Sequence, residues 1–269
     1  MSESLRIPRR VRHELKFRTL SVVSVEDLTP TYRRIVLTGD DLEGFVSPGF
    51  DDHVKVFPPR PGEAPVMPTL GPDGPVFPEP RPAARDYTPR AYDPATRRLT
   101  LDFVTGHGGP ATEWAMAAAP GFQLGVGGPR GSTLVPTAFA DHVLIGDETA
   151  LPAIARRLEE LPAEARATVV VAVKDPSERL ALTSPAALSV AWVDRGEAAR
   201  SDATPLAQAV EQALTDVDRR DAYVWIAAEA QVARTLRARV VALGFDPRAM
   251  KAAGYWREGG TAEKVVIED

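Results

Sequence analysis

Cysteine is missing altogether from this chain of 269 residues. That absence removes disulfides, thiolate zinc sites, cysteine-held iron–sulfur clusters and cysteine nucleophiles together, and it fits a reducing cytoplasm. Histidine is scarce. The four residues, His13, His53, His107 and His142, include no metal-ligand spacing of the H-x-x-x-H kind. No apolar run approaches the length of a membrane span. Met1 to Arg12 is polar and basic and lacks the apolar centre of an export signal. The expectation is a cytoplasmic protein with no membrane partner and a frayed N-terminal arm. A net charge of -5 argues against a general nucleic-acid binder, which needs a basic surface. Neither a P-loop nor a G-x-G-x-x-G fingerprint occurs. If such a chain performs redox chemistry, an organic cofactor must carry it.

What is present divides into two halves. The length suits two domains of roughly 100–150 residues each. From about Glu14 to Gly128, short β-rich runs alternate with turn residues: Lys16 to Val25, Tyr32 to Leu37, Val54 to Phe57, Leu99 to Val104 and Phe122 to Val126. Such spacing predicts an antiparallel barrel or sandwich. Pro58 to Pro82, dense in Pro and Gly, reads as a long loop hung between strands. From His142 onward, short apolar runs (Val143 to Gly146, Thr168 to Val173, Ser189 to Val193, Tyr223 to Ala227) alternate with helical periodicities. Leu151, Ile154 and Leu158 share one helical face, Leu206, Val210 and Leu214 a second, and Val232, Leu236 and Val240 a third ended by Gly244. Strand–helix alternation predicts a parallel sheet covered by helices. The expected domains are 14–138 and 139–269.

Three stretches carry candidate chemistry. In Arg85-Asp86-Tyr87-Thr88-Pro89-Arg90, read as one strand, Arg85, Tyr87 and Pro89 face one way and Asp86, Thr88 and Arg90 the other. An aromatic flanked by a guanidinium and a hydroxyl can stack a planar ring and neutralise a phosphate; by composition alone it is equally an ordinary strand with surface arginines. Gly106-His107-Gly108-Gly109-Pro110-Ala111-Thr112 leads into a helix start, where free N–H groups and the helix dipole favour a pyrophosphate, or form a plain loop–helix junction. Gly146-Asp147-Glu148-Thr149-Ala150-Leu151-Pro152 closes the first strand of the second half. There open α/β sheets bind ligands, and Asp and Thr also serve as helix caps.

These pieces, in this order, with Gly121 to Ser132 and Gly254-Tyr255-Trp256-Arg257-Glu258-Gly259, resemble the siderophore-interacting protein family of ferric-siderophore reductases, part of the ferredoxin–NADP reductase-like superfamily. The resemblance runs from about Phe17 to Gly260. It implies an antiparallel β-barrel that binds FAD, followed by an α/β parallel-sheet domain that binds NADPH or NADH. It implies that Arg85 contacts the FAD phosphates, Tyr87 packs on the isoalloxazine and Thr88 lies near its N5. Asp102 and Val104 then line the ribityl chain. His107, Gly109, Pro110, Ala111 and Thr112 hold the diphosphate and adenosine. Asp147, Glu148, Thr149 and Glu229 border the nicotinamide, and Tyr255 and Trp256 match the C-terminal aromatic region that shields the flavin. No acid–base residue is expected, because hydride and electron transfer belong to the flavin.

The implied substrate is a ferric siderophore, often strongly anionic, so its docking site should be basic even on an acidic protein. Lys55, Arg130, Lys251 and Arg257 are the expected contacts, converging near the flavin edge. Lys174, Arg179 and Arg195 follow strands of the second half and are candidates for the 2′-phosphate of NADPH. Competing readings are a general flavin oxidoreductase served by ferredoxin or another electron partner, and a siderophore-binding protein without turnover. No exposed apolar stripe stands out, and a monomer is expected.

Overall fold

A computed structural model describes residues 6–259 and 265–267. They form two compact units: residues 10–134, and residues up to Arg9 together with those from Val135 onward.

The first unit contains β1 (Arg9–Arg12), β2 (Phe17–Thr29), β3 (Tyr32–Thr38), β4 (Val54–Phe57), β5 (Thr69–Gly71), β6 (Gly74–Val76), β7 (Arg85–Tyr87), β8 (Pro89–Asp93), β9 (Arg98–Val104), helix α1 (Pro110–Ala117), β10 (Gln123–Gly127) and β11 (Gly131–Leu134). Seven strands make one antiparallel sheet in the order β7-β4-β10-β2-β3-β9-β8. Its edge strands β7 and β8 are consecutive in the chain, with only Thr88 between them. Laid flat, seven strands would hold the edges about 29 Å apart, whereas two Cα steps span at most about 7 Å. The sheet must therefore curl until its edges nearly meet, as a half-barrel. Alternation along β2, β3, β9 and β10 sends Leu20, Ile35, Leu37, Leu99, Leu101 and Leu124 inside, all fully buried. Each contributes roughly 1.5–3 kcal/mol relative to exposure. Helix α1 closes this core with Trp114 and Ala115.

The second unit contains β12 (Asp141–Asp147), α2 (Leu151–Glu160), β13 (Arg166–Val173), β14 (Ala187–Asp194), α3 (Thr204–Ala213), β15 (Ala222–Glu229), α4 (Ala230–Ala242), β16 (Met250–Trp256) and β17 (Val265–Val266). The sheet order is β14-β13-β12-β15-β16-β17. The first five strands are parallel and β17 runs antiparallel to β16. From β12 the chain steps outward through β13 to β14, then returns to the other side of β12 as β15. The switch point thus lies between β12 and β15, the place where open α/β sheets bind ligands. Both central strands are buried along their whole length, which is why their centres, residues 143–146 and 223–227, read as apolar runs. Gly146 lets β12 approach β15: a Cβ there would meet Ala150 and come within 2.5 Å of the Ala227 carbonyl oxygen.

Two expectations change. The arm is not frayed over its described part. β1 pairs with β11, and the Arg6 guanidinium donates to Asp221 at 2.8 Å. The Pro-rich loop carries the small β5–β6 hairpin. The two compact units divide at residues 134/135. Arg157 of α2 donates to the carbonyl oxygens of Val135 (3.1 Å) and Pro136 (2.7 Å), and the Phe139 ring lies 5.5 Å from that of Tyr223. These contacts bind residues 135–139 to the second unit.

Candidate functional site

In the first unit the Arg85–Arg90 stretch is not one strand. β7 pairs with β4, and β8 pairs with β9 across the sheet. Thr88, buried, is the link that carries the chain over the seam. Pro89 has no N–H to donate, so β8 starts where the ladder would otherwise need one. The simple alternation of faces therefore fails at Thr88. Tyr87 lies against Phe103 with ring centroids 4.3 Å apart, and Phe103 lies 5.7 Å from Trp114. Burial raises the Tyr87 phenol above its usual range, opposed by Arg85, so it stays a neutral, aromatic surface. The Arg85 guanidinium donates to the Ala84 carbonyl at 2.8 Å.

Helix α1 follows β9 in the chain. Gly109 stands at its N-cap with φ 128 and ψ 161, a backbone region open to glycine alone, and no side chain caps the helix. A Cβ at Gly108 or Gly109 would meet nothing within 4 Å. The helix start is thus bare and open, which suits a diphosphate held by backbone N–H groups. The His107 Nδ1 sits 3.0 Å from the Gly108 carbonyl oxygen and 3.2 Å from the Thr112 hydroxyl, bracing the turn. At the other end, Arg33 donates to the Ala115 (3.0 Å) and Met116 (2.8 Å) carbonyls and is itself gripped by Asp27. Sequence reading missed this anchor. Ala111 and Thr112 are buried, and Pro110 opens the helix. The set fits FAD: an aromatic seam for the ring and an uncapped helix start for the diphosphate.

Asp102 and Val104 are both buried on β9. The Asp102 carboxylate is held bidentately by Arg34 of β3, 2.8 Å to each oxygen, a cross-strand pair in register. Lys55 is likewise in register with Asp86, and its ammonium lies 3.0 Å from that carboxylate. Arg130 is exposed. In the second unit Lys251 is half-buried on β16 and Arg257 is exposed. The four expected siderophore contacts are therefore two on each unit.

In the second unit the ends of β12, β15 and β16 meet in one carboxylate hub. Asp147, buried, accepts from the Thr149 N–H (2.9 Å) and hydroxyl (2.5 Å) on one oxygen. Its other oxygen accepts from the Glu229 N–H (3.1 Å) and the Trp256 indole N–H (2.8 Å). Burial, and then the neighbouring Glu148, push its carboxyl up to about 6 against the pull of these donors. Glu229, buried, caps α4 with one oxygen, which accepts from the N–H groups of Gln231 and Val232, and its other oxygen accepts from the Glu258 N–H at 3.4 Å. Glu148, buried, is held by Arg195 (3.1 and 3.2 Å) and Arg200 (2.8 Å). The Arg200 guanidinium also lies 5.6 Å above the Trp256 ring. Of the candidate phosphate contacts, Arg179 pairs with Asp194 and Lys174 is exposed. Arg200 was not singled out from sequence. Its position in the stretch after β14, at the carboxyl edge of the sheet, was the available signal.

A curled antiparallel sheet with a bare helix start, followed by a parallel sheet with its switch point at β12/β15, defines the ferredoxin reductase-like class. A ferredoxin NADP+ reductase from Neisseria gonorrhoeae shares that fold, with a TM-score of 0.59 at 14% identity over 85% of this chain and 92% of that one. Residues 21–133 match the siderophore-interacting FAD-binding domain, and residues 139–259 match the siderophore-interacting protein domain. An NADPH-dependent ferric-chelate reductase of Escherichia coli is 39% identical over 95% of this chain and 99% of its own length. The crystal structure of a siderophore utilization protein from T. fusca superposes with a TM-score of 0.88 at 38% identity, covering 95% of this chain and 98% of that one. The chain belongs to the siderophore-interacting protein family.

Proposed function

We propose that this protein is an FAD-dependent reductase that takes electrons from NADPH and releases iron from ferric siderophores. The observation that carries the reading is the seam at Thr88 beside the aromatic pair Tyr87–Phe103, in a unit whose α1 begins bare at Gly109. The name of the E. coli relative supports the same activity and the same nucleotide. FAD, when bound, accepts two electrons as a hydride equivalent and passes them on singly, which suits Fe(III). The residues do the rest by binding and exclusion. Arg85 neutralises phosphate charge, and Tyr87 and Thr88 flank the isoalloxazine. Asp102, shielded by Arg34, and Val104 line the ribityl side. His107, Gly109, Pro110, Ala111 and Thr112 shape the diphosphate cradle. Asp147, Glu148, Thr149, Glu229 and Trp256 border the nicotinamide nucleotide. Lys55, Arg130, Lys251 and Arg257 attract the anionic ferric chelate. Hard oxygen donors hold Fe(III) far better than Fe(II), so reduction loosens the metal.

The protein works in the cytoplasm as a monomer. The lack of cysteine fits the first; no described helix is long and apolar enough to cross a membrane. Light scattering on the purified protein reads the second directly. Anaerobic stopped-flow absorbance tests the activity. NADPH should bleach the flavin, and a ferric siderophore should restore it in step with a ferrous trap. If neither NADPH nor NADH bleaches the flavin, the donor assignment is wrong, and a ferredoxin takes its place.

A further inference from the structure

The N-terminal arm is fastened to the first unit by a buried polar chain. His13 follows β1, and its Nε2 lies 2.7 Å from the Ser132 hydroxyl of β11. That hydroxyl donates to Asp52 at 2.6 Å. The same carboxylate oxygen accepts from the Ser47 hydroxyl (3.1 Å) and the Gly49 N–H (3.0 Å). Asp52 is only 2% exposed, and its other oxygen has no partner among the described residues. A carboxylate so buried depends on those three donors. Burial holds its carboxyl above the usual range, against the pull of Ser132, Gly49 and Ser47. A serine hydroxyl has one hydrogen, and Asp52 takes it. His13 must therefore donate to Ser132 through its Nε2–H, so the chain of donors runs from His13 through Ser132 to Asp52.

The backbone is tied in at the turn that carries Arg130. The Gly128 N–H donates to the Lys16 carbonyl and the His13 N–H to the Arg130 carbonyl, each at 3.0 Å. Residues 13–16 thus hold both ends of the turn formed by residues 128–130. Arg18, buried, donates to the Gly128 carbonyl at 2.8 Å. The close approach needs a glycine: a Cβ at Gly131 would come within 2.7 Å of the Val11 carbonyl oxygen. Lys55 is in register with Gly127, so the turn begins beside it.

We propose that the arm is a positioning element for the ferric substrate: the His13–Ser132–Asp52 clasp fixes the turn so that Arg130 is presented beside Lys55 to an anionic chelate. This rests on the reading of Lys55 and Arg130 as docking contacts. The Arg130 side chain is exposed and already samples many rotamers. A turn that moved as well would spread its charge over a wider volume and weaken the attraction to a docked anion. His13 and Ser132 act through Arg130 and touch no substrate.

The test is stopped-flow reoxidation of the photoreduced, flavin-loaded protein, which needs no nucleotide. The acceptors are the anionic Fe(III)–EDTA chelate and neutral 1,4-benzoquinone. His13→Ala should raise the half-saturating chelate concentration about three- to tenfold at low salt and leave the limiting rate and the quinone values unchanged. His13→Gln should restore most of the affinity, because its amide NH2 can donate to Ser132. Ser132→Ala should match His13→Ala, and the double variant should be no worse than either alone, as for links in one chain. Amide hydrogen exchange at residues 128–132 should quicken about tenfold in His13→Ala. A chelate affinity that does not move in His13→Ala, or that moves together with the quinone values, overturns the positioning role. Arg130→Ala tells this failure from that of the docking reading. If it weakens chelate saturation while His13→Ala does not, docking stands and the clasp falls; if it has no effect, docking falls and the positioning role falls with it.

Discussion

The two units build their sites from opposite materials. In the antiparallel unit the site is made of openings: a seam crossed at Thr88 and a helix start at Gly109 that no side chain caps. In the parallel unit the corresponding edge is crowded with charge, much of which is already paired. Asp147 holds Thr149, Glu229 and Trp256, Glu229 caps α4, and Glu148 holds two arginines. Open backbone donors gain fully from a ligand that stays. Donors already engaged must exchange partners at each binding event, so the net gain is small and release is easy. That difference suits a resident flavin in one unit and a nucleotide that comes and goes in the other.

The hub offers the harshest test of this contrast. Asp147→Asn replaces one acceptor oxygen by an NH2 group, leaving two of the four donors facing a donor; the expected loss is about 2–5 kcal/mol of stability in urea unfolding. The same variant should alter the pH profile. The folded-state carboxyl titrates at about 6 against an ordinary 3.8, so its proton favours the fold. That contribution is complete below about 3.8 and lost as pH rises through about 6, and Asp147→Asn should flatten the slope between them. A variant as stable as the native protein with an unchanged profile would show that the hub is not what holds these strand ends together.

Glu148→Ala should cost somewhat less, about 2–4 kcal/mol, because the two stranded arginines are partly within reach of water. Thermal unfolding reads it, and 1 M salt should recover part of the loss by screening the repulsion between the two guanidiniums. In the other unit the effect should appear in the ligand before the fold. Gly109→Val forces a side chain into a backbone region that costs about 1–3 kcal/mol, so FAD affinity should fall about 10- to 100-fold by flavin fluorescence. Unaltered affinity would mean that the bare helix start does not hold the diphosphate. The smallest effect belongs to the exposed charges. Lys55→Glu with Arg130→Glu should slow turnover of an anionic ferric siderophore about three- to tenfold at low salt and leave a small neutral acceptor unaffected. Equal slowing of both would remove these residues from docking. It would then point to the Lys55–Asp86 pair as a brace for β7.

Legibility in the sequence followed the range of the interactions. The helical faces of Leu151–Leu158 and Val232–Val240 and the apolar runs at the centres of β12 and β15 are local patterns, and they lie where periodicity placed them. Gly109 before Pro110 marked a helix start for the same reason. The break at Thr88 was not legible, because Arg-Asp-Tyr-Thr-Pro-Arg alternates like any strand. Only the curl of the sheet sends its two halves to opposite edges. Glu229 read as a ligand contact, and the sequence did not show that one oxygen of its carboxylate caps helix α4. Arg34 and Arg200 were passed over because each is defined by a distant partner, Asp102 or Glu148.

By itself, then, the sequence determined the division into a β-rich half and an α/β half, the glycine-led helix start, the aromatic–arginine stretch and the absence of any thiol chemistry. These depend on backbone geometry and residue type within a few positions. Tertiary structure alone decided which charges are free and which are consumed. A buried carboxylate takes the nearest donors that the fold presents, and those donors come from strands and loops up to 109 residues apart, as Trp256 does for Asp147.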